Sequence, residues 1–167
     1  VSSRKVNIAV RSLSRNSLGG DFAASRDSDS GIDLIVADVT GHDMGASYYT
    51  ILIKAFFDEN CRIGGSGKEL FCVLNSAMLE RGLSERMATA LFLRINLQEM
   101  WAELVSAAHP YLIRINPETP DIVLRPISRN SGFVLGMLRN AEFEVRRFPV
   151  SSGDRIFIYT DGIPDSK

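Results

Sequence analysis

"DLIVADVTGHDMGAS" occupies positions 33–47, and its reading decides the fold. From Ile32 to Val39 the chain is almost continuously apolar and rich in β-branched residues, which reads as a strand. From Met44 the period changes: Met44, Tyr48, Ile51, Leu52, Ala55 and Phe56 recur at helical spacing. The join holds Gly41, His42, Asp43 and Gly45. Asp38 stands at the end of the strand, where an unpaired charge is expensive to desolvate, so something must offset it.

Outward from this join, residues 5–13 alternate and predict a further strand, followed by a glycine turn at Gly19 and Gly20. The stretch 60–67 breaks the first helix. Ser66 with Glu69 forms a capping box, and Leu70, Val73, Leu74, Ala77 and Met78 line one face of a second helix closed by Gly82. The remainder is β-rich. Strands are expected over 89–97, 101–109, 111–115, 121–127, 141–150 and 154–161, separated by Asn-Pro, Asn-Ser-Gly and Ser-Ser-Gly-Asp turn signals. Short strand-to-strand connections favour antiparallel pairing, and the buried faces need cover. The expected class is α+β: a mostly antiparallel β-sandwich flanked by helices.

A chain of 167 residues is enough for one domain with a full core. Its net charge of −1 gives no broad attraction to nucleic acid or anionic lipid. No apolar run approaches the roughly 20 residues that span a bilayer, and no signal-peptide pattern opens the chain. Cys61 and Cys72 form no CxxC pair and read as free, half-buried thiols, which suits a reducing, cytoplasmic setting. The expected organisation is a single domain over 1–167, forming part of a larger protein.

Aspartates recur where apolar strands give way to glycine-containing turns: Asp21 after Gly19-Gly20, Asp38 before Gly41, and Asp161 before Gly162. Taken singly, Asp21 and Asp161 are ordinary turn residues that bond their own backbone. Side by side, the three carboxylates would repel unless a counter-charge joined them. An all-oxygen set selects Mg²⁺ or Mn²⁺ over Zn²⁺, and no Cys/His ligand cluster is present. The nearby glycines let the backbone approach, which makes the Val39 carbonyl another candidate ligand. His42 is either a ligand or a residue that orients the turn. His109, ahead of Pro110, reads as a structural hydrogen-bonding residue. Trp101 and the Phe56-Phe57 pair read as core. A Ser-His-Asp hydrolase is a poor fit, because no GxSxG elbow exists.

The pattern resembles the metal-dependent serine/threonine protein phosphatases (PPM family), in their bacterial SpoIIE-like branch. The family's "GGD" turn appears at 19–21, and its "DVSGHG" signature appears as "DVTGHDMGA" at 38–46. "AAHPYLI" at 107–113, "GFVLG" at 132–136 and "GDRIFIYTDG" at 153–162 resemble the remaining signatures, in order. Ala24 stands where the family often has a second Asp, and Asp43 where it has a glycine.

The resemblance implies an αββα fold and a site for two Mn²⁺ or Mg²⁺ ions. Asp38 would be the catalytic residue that bridges them. Asp21 and the Val39 carbonyl would complete one metal and Asp161 would hold the other, with Gly20, Gly41, His42 and Gly162 supporting the loops. A water activated by the metals would attack phosphorus in line. The family's last metal-binding Asp lies in a C-terminal segment past "TDG", so the resemblance implies either that this segment lies outside the 167 residues or that one metal is poorly held. It also implies a cytoplasmic output module joined to a receiver or sensor domain and acting on a phosphorylated anti-sigma-factor antagonist. Neither nucleic acid nor membrane is an expected partner, and a homodimer is compatible. The alternative is a catalytically degenerate binding module that recruits a sigma factor or an anti-sigma protein.

Overall fold

The structure, a computed structural model, describes residues 5–11, 20–80, 86–110, 112–116, 123–124 and 133–160. Along the chain these form β1 (Asp21–Ser28), β2 (Gly31–Val39), α1 (Met44–Ile63), α2 (Gly67–Glu80), β3 (Ala88–Asn96), β4 (Trp101–Ala107), β5 (Ile113–Ile115), β6 (Val123–Leu124), β7 (Val145–Pro149) and β8 (Arg155–Phe157). The strands pair antiparallel in two sheets, ordered β1-β2-β3-β4-β7 and β6-β5-β8.

The central strands β2, β3 and β4 of the larger sheet are buried on both faces, which is why β2 and β3 read as nearly continuous apolar runs, while the edge strands β1 and β7 are largely exposed. One face sends Ile35, Ala37, Val39, Phe92 and Val105 against Tyr49, Ile53 and Phe57 of α1 and Leu70 and Leu74 of α2. The other sends Ile32, Leu91, Leu93 and Leu104 against Leu112, Val150 and Ile156, on the side of the small sheet. The expected α+β antiparallel sandwich is therefore present, with α1 and α2 covering one outer face.

The helix ends follow local chemistry. Asp43 is the N-cap of α1: its backbone is extended (φ −111°) and its Oδ1 accepts from the Ala46 amide at 3.1 Å. Glycine is not needed at this position, so the departure from the family pattern carries no backbone strain. Gly64 ends α1 in the left-handed conformation (φ 70°). The capping box of α2 forms as expected, with the Glu69 amide donating to Ser66 Oγ at 3.2 Å and the Ser66 amide to Glu69 Oε2 at 2.8 Å.

Leu74 is fully buried between α2 and the sheet. Leu74→Ala should cost about 2–5 kcal/mol. A urea denaturation midpoint equal to the parent's would contradict the packing described.

Several expectations need correction. Residues 5–11 form no strand. Alternation supplies a suitable pattern but no partner strand among the described residues, and Ile8 and Val10 are exposed while Val6 rests on the second core. Positions 12 and 13 lie outside the described residues. The stripe read on α1 is largely its outer side. Met44 and Ile51 are 80% and 68% exposed, whereas Ala46, Tyr49, Ile53 and Phe57 are buried. Val73 on α2 is likewise exposed. Trp101 is only half-buried at a strand end, where its Nε1 donates to Glu99 Oε2 at 2.6 Å and the Arg147 guanidinium lies 4.7 Å from its ring. Phe57 is core, and Phe56 packs at the core's margin.

A row of alternating charge crosses the larger sheet, with Arg26, Asp33, Arg94, Glu103 and Arg147 as successive register partners. Arg94 grips Asp33 with two bonds of 2.7 and 2.6 Å and donates to the Gly65 carbonyl at 2.9 Å, tying the α1–α2 turn to the sheet. Arg147 donates to buried Glu103 at 2.8 Å. Cys61 Sγ lies 3.5 Å from Asp33 Oδ2. Burial, reinforced by that carboxylate, pushes the Cys61 thiol up to about 12. Cys72 is exposed, not half-buried as expected. The thiolate is the reactive form. An alkylating reagent at pH 8 should therefore modify Cys72 promptly and Cys61 only after denaturation. Equal labelling rates in the folded protein would contradict this.

Candidate metal centre

The hairpin of β1 and β2 sets Asp21 directly opposite Asp38. Residues facing each other across an antiparallel pair share one face of the sheet. Ala37 and Val39, on either side of Asp38, pack toward the helices, so Asp38 projects toward the other side. Phe22 also packs toward the helices, which puts Asp21 on the side of Asp38. Ala24 shares the face of Phe22 and packs on the helix-side core. A carboxylate there would point away from Asp21, so Ala24 removes nothing from this pair.

The chain following β8 arrives at the same place. Thr160 Oγ1 donates to Asp21 Oδ2 at 3.3 Å. Strand β8 is anchored by Asp154, whose carboxylate receives Arg114 Nη2 at 2.7 Å, Asn116 Nδ2 at 2.8 Å and the Ser151 amide at 2.7 Å. Thr160 precedes Asp161 in the sequence; Asp161, Gly162 and Gly19 lie outside the described residues.

Close backbone approach explains Gly20. Its carbonyl accepts from the Val39 amide at 3.1 Å, and a Cβ on Gly20 would meet the Val39 carbonyl oxygen at 2.0 Å. The Val39 carbonyl thus sits beside the residue that leads into Asp21. Beyond it, the Thr40 amide donates to the Met87 carbonyl at 2.9 Å, and the Met87 amide to Thr40 Oγ1 at 3.2 Å. Arg86 donates from Nη1 to the Thr40 carbonyl at 2.7 Å and from Nη2 to Asp43 Oδ2 at 2.6 Å. The Ala46 amide and Arg86 together hold the Asp43 carboxyl below the usual carboxylate range. Gly41 has φ +100°, a conformation that favours glycine. His42 is exposed, and the bonds that fasten this turn come from Arg86, Asp43 and Thr40.

His109 behaves as the sequence suggests. It is buried, its Nδ1 is 2.9 Å from Thr89 Oγ1, and its amide donates to Ser106 Oγ at 3.3 Å. Thr89 is the register partner of Asp38, so the histidine buttresses the row Asp21–Asp38–Thr89 from the next strand. Burial pushes the imidazole down to about 4, against the opposing pull of the Tyr159 backbone. The ring is neutral at physiological pH.

Among the described residues no three Asp, Glu, His or Cys side chains gather into a metal-holding group. What they bring together is Asp21, Asp38 and the Val39 carbonyl, all hard oxygen donors. This set suits a hard divalent cation, because like charges facing across two strands are stabilised by one. Sequence reasoning missed Arg86, Thr40, Thr160 and Asp154. The "GD" ahead of the last strand offered a signal for Asp154, whereas nothing local marked Arg86.

The family described as Stage II sporulation protein E (SpoIIE) matches residues 28–167. The chain belongs to the SpoIIE family. This SpoIIE-family chain is 25% identical over 136 residues to the phosphoserine phosphatase RsbP of Bacillus subtilis (strain 168), a match covering 79% of this chain and 33% of RsbP. It resembles the RsbU and RsbW domains of Rv1364c from Mycobacterium tuberculosis with a TM-score of 0.77 at 20% identity, over 92% of this chain and 42% of that one. It resembles RsbX in complex with magnesium with a TM-score of 0.73 at 23% identity, over 89% and 69% of the two chains. At such identities the structural likenesses establish the fold, that of the PP2C-like phosphatases. The chain spans about a third of RsbP's length. Among the described residues no helix is long and apolar enough to cross a membrane.

Proposed function

We propose that this SpoIIE-family chain is a metal-dependent phosphoserine/phosphothreonine protein phosphatase. In this reading it is the cytoplasmic output module of a signalling protein that also carries a receiver or sensor domain, and its substrate is a phosphorylated anti-sigma-factor antagonist. The observation that carries the reading is the register pairing of Asp21 with Asp38, with Thr160 bonded to Asp21. The phosphoserine phosphatase RsbP and the magnesium complex of RsbX support the activity and the cation class.

Two Mn²⁺ or Mg²⁺ ions would be held by Asp38 between them, by Asp21 and the Val39 carbonyl on one side, and by Asp161 on the other. When bound, such ions acidify water and stabilise the charge that develops on the phosphoryl oxygens. The chain's own part is preorganisation. Paired strands fix both carboxylates on one face, Gly20 lets the Val39 carbonyl approach, and the Thr160 hydroxyl orients the Asp21 carboxylate. Gly41, His42 and Gly162 belong to the loops that frame the site.

The test is phosphate release from a phosphoserine protein while Mn²⁺ is titrated, with removal of the metal by EDTA. Metal-dependent release is expected. The second reading is a degenerate module that binds a sigma factor or an anti-sigma protein; the charged Asp43, standing where the family has a glycine, favours it. Tight partner binding without release at any metal level would favour it.

A further inference from the structure

Arg86 stands where the approach to β3 meets the turn that follows β2. Its guanidinium makes two charge-assisted bonds to that turn, to the Thr40 carbonyl and the Asp43 carboxylate, at 2.7 and 2.6 Å. The two acceptors bracket Gly41 and His42, and Thr40 directly follows Val39. The guanidinium also fills a slot made by two glycines. A Cβ on Gly41 would lie 2.2 Å from Nη1, and one on Gly45 would lie 3.0 Å from Nε. The Arg86 side chain is only 18% exposed, although its partner Asp43 is 65% exposed. An arginine this enclosed, seated against two glycines and bonded at both ends of a four-residue turn, is built to fix the shape of that turn. Lysine could not replace it, because an ammonium lacks the planar fork that reaches both acceptors.

We infer that Arg86 is a positioning residue for the metal centre: by clamping the turn from Thr40 to Asp43, it holds the Val39 carbonyl and the Asp38 carboxylate in the arrangement that receives the cation. The inference rests on the reading of Asp21, Asp38 and Val39 as metal donors. Arg86 itself need not touch metal or substrate. Its effect travels through one rigid turn, as outer-shell partners of metal ligands commonly act.

The test is calorimetric titration of Mn²⁺ into the parent, Arg86→Lys and Gly41→Ala, each checked by a thermal melt without metal. Arg86→Lys keeps the charge and most of the volume but loses the fork. Gly41→Ala keeps the arginine but displaces it from its slot, and it also strains the turn directly, because Gly41 has φ +100°. Both should bind Mn²⁺ about ten- to a hundredfold more weakly than the parent. Combining them should lose less than the sum of the two single losses, because both remove the same clamp and only the backbone strain of alanine at position 41 is separate. A general loss of folding would lower the melt without this non-additivity. Parent-like Mn²⁺ affinity in folded Arg86→Lys would overturn the positioning role and leave the metal centre standing. No Mn²⁺ binding by the parent would overturn the metal centre itself, and with it this inference.

Discussion

Asp38→Asn should lower metal-dependent phosphate release about a thousandfold while the melting temperature without metal stays within a few degrees of the parent's. Asparagine keeps the shape and removes the charge. The neighbours of Asp38 on β2, Ala37 and Val39, are buried in the helix-side core and are untouched by the change. The register with Asp21 and with Thr89 is set by backbone bonds on both sides of β2, so the strand stays in place. What is lost is the anion proposed to lie between two cations. Metal assistance is worth several kcal/mol of transition-state stabilisation, and each 1.36 kcal/mol is a factor of ten in rate. Loss of about three such factors follows. A variant within tenfold of the parent would show that Asp38 does not hold the catalytic metals.

Asp33→Ala should have the largest effect on stability, about 3–5 kcal/mol. Asp33 is buried and accepts both bonds of the Arg94 fork, while Arg94 also reaches the Gly65 carbonyl. Removing the carboxylate leaves a guanidinium inside the sandwich with its principal partner gone. Replacing both residues together with apolar side chains of similar volume should recover much of the loss, since the cost lies in the unpaired charge and not in absence of the pair. Urea denaturation of the two variants measures both effects. A single variant less than about 1 kcal/mol below the parent would show that solvent reaches Arg94 and pays its desolvation.

The sequence carried the centre of the fold and less of its edges. Strand β2, the turn after it and the capping box at Ser66 and Glu69 are written in local pattern and local chemistry, and they form as expected. Asp21 and Asp38 share the strand-end, glycine-flanked pattern, and the hairpin brings them face to face. Asp161 falls outside the described residues, and only its neighbour Thr160 reports on that end of the chain. The buried face of α1 was not legible because both sides of that helix are apolar. Tyr48, Ile51 and Ala55 compete with Tyr49, Ile53 and Phe57, and only the sheet decides between them. Residues 5–11 illustrate the converse, a strand pattern without a partner among the described residues. The charge row from Arg26 to Arg147 depends on four strand registers at once, which no window of sequence contains. Arg86 was missed for the same reason, since its partners lie 46 and 43 positions away.

The most direct measurement is the number of Mn²⁺ ions bound per chain, read by electron paramagnetic resonance as the loss of free-ion signal on adding protein, for the parent and for Asp21→Asn. The proposed centre predicts saturable binding by the parent, with up to two ions per chain, and a loss of at least one ion when Asp21 is neutralised. Binding that is absent in the parent, or unchanged by Asp21→Asn, would contradict it.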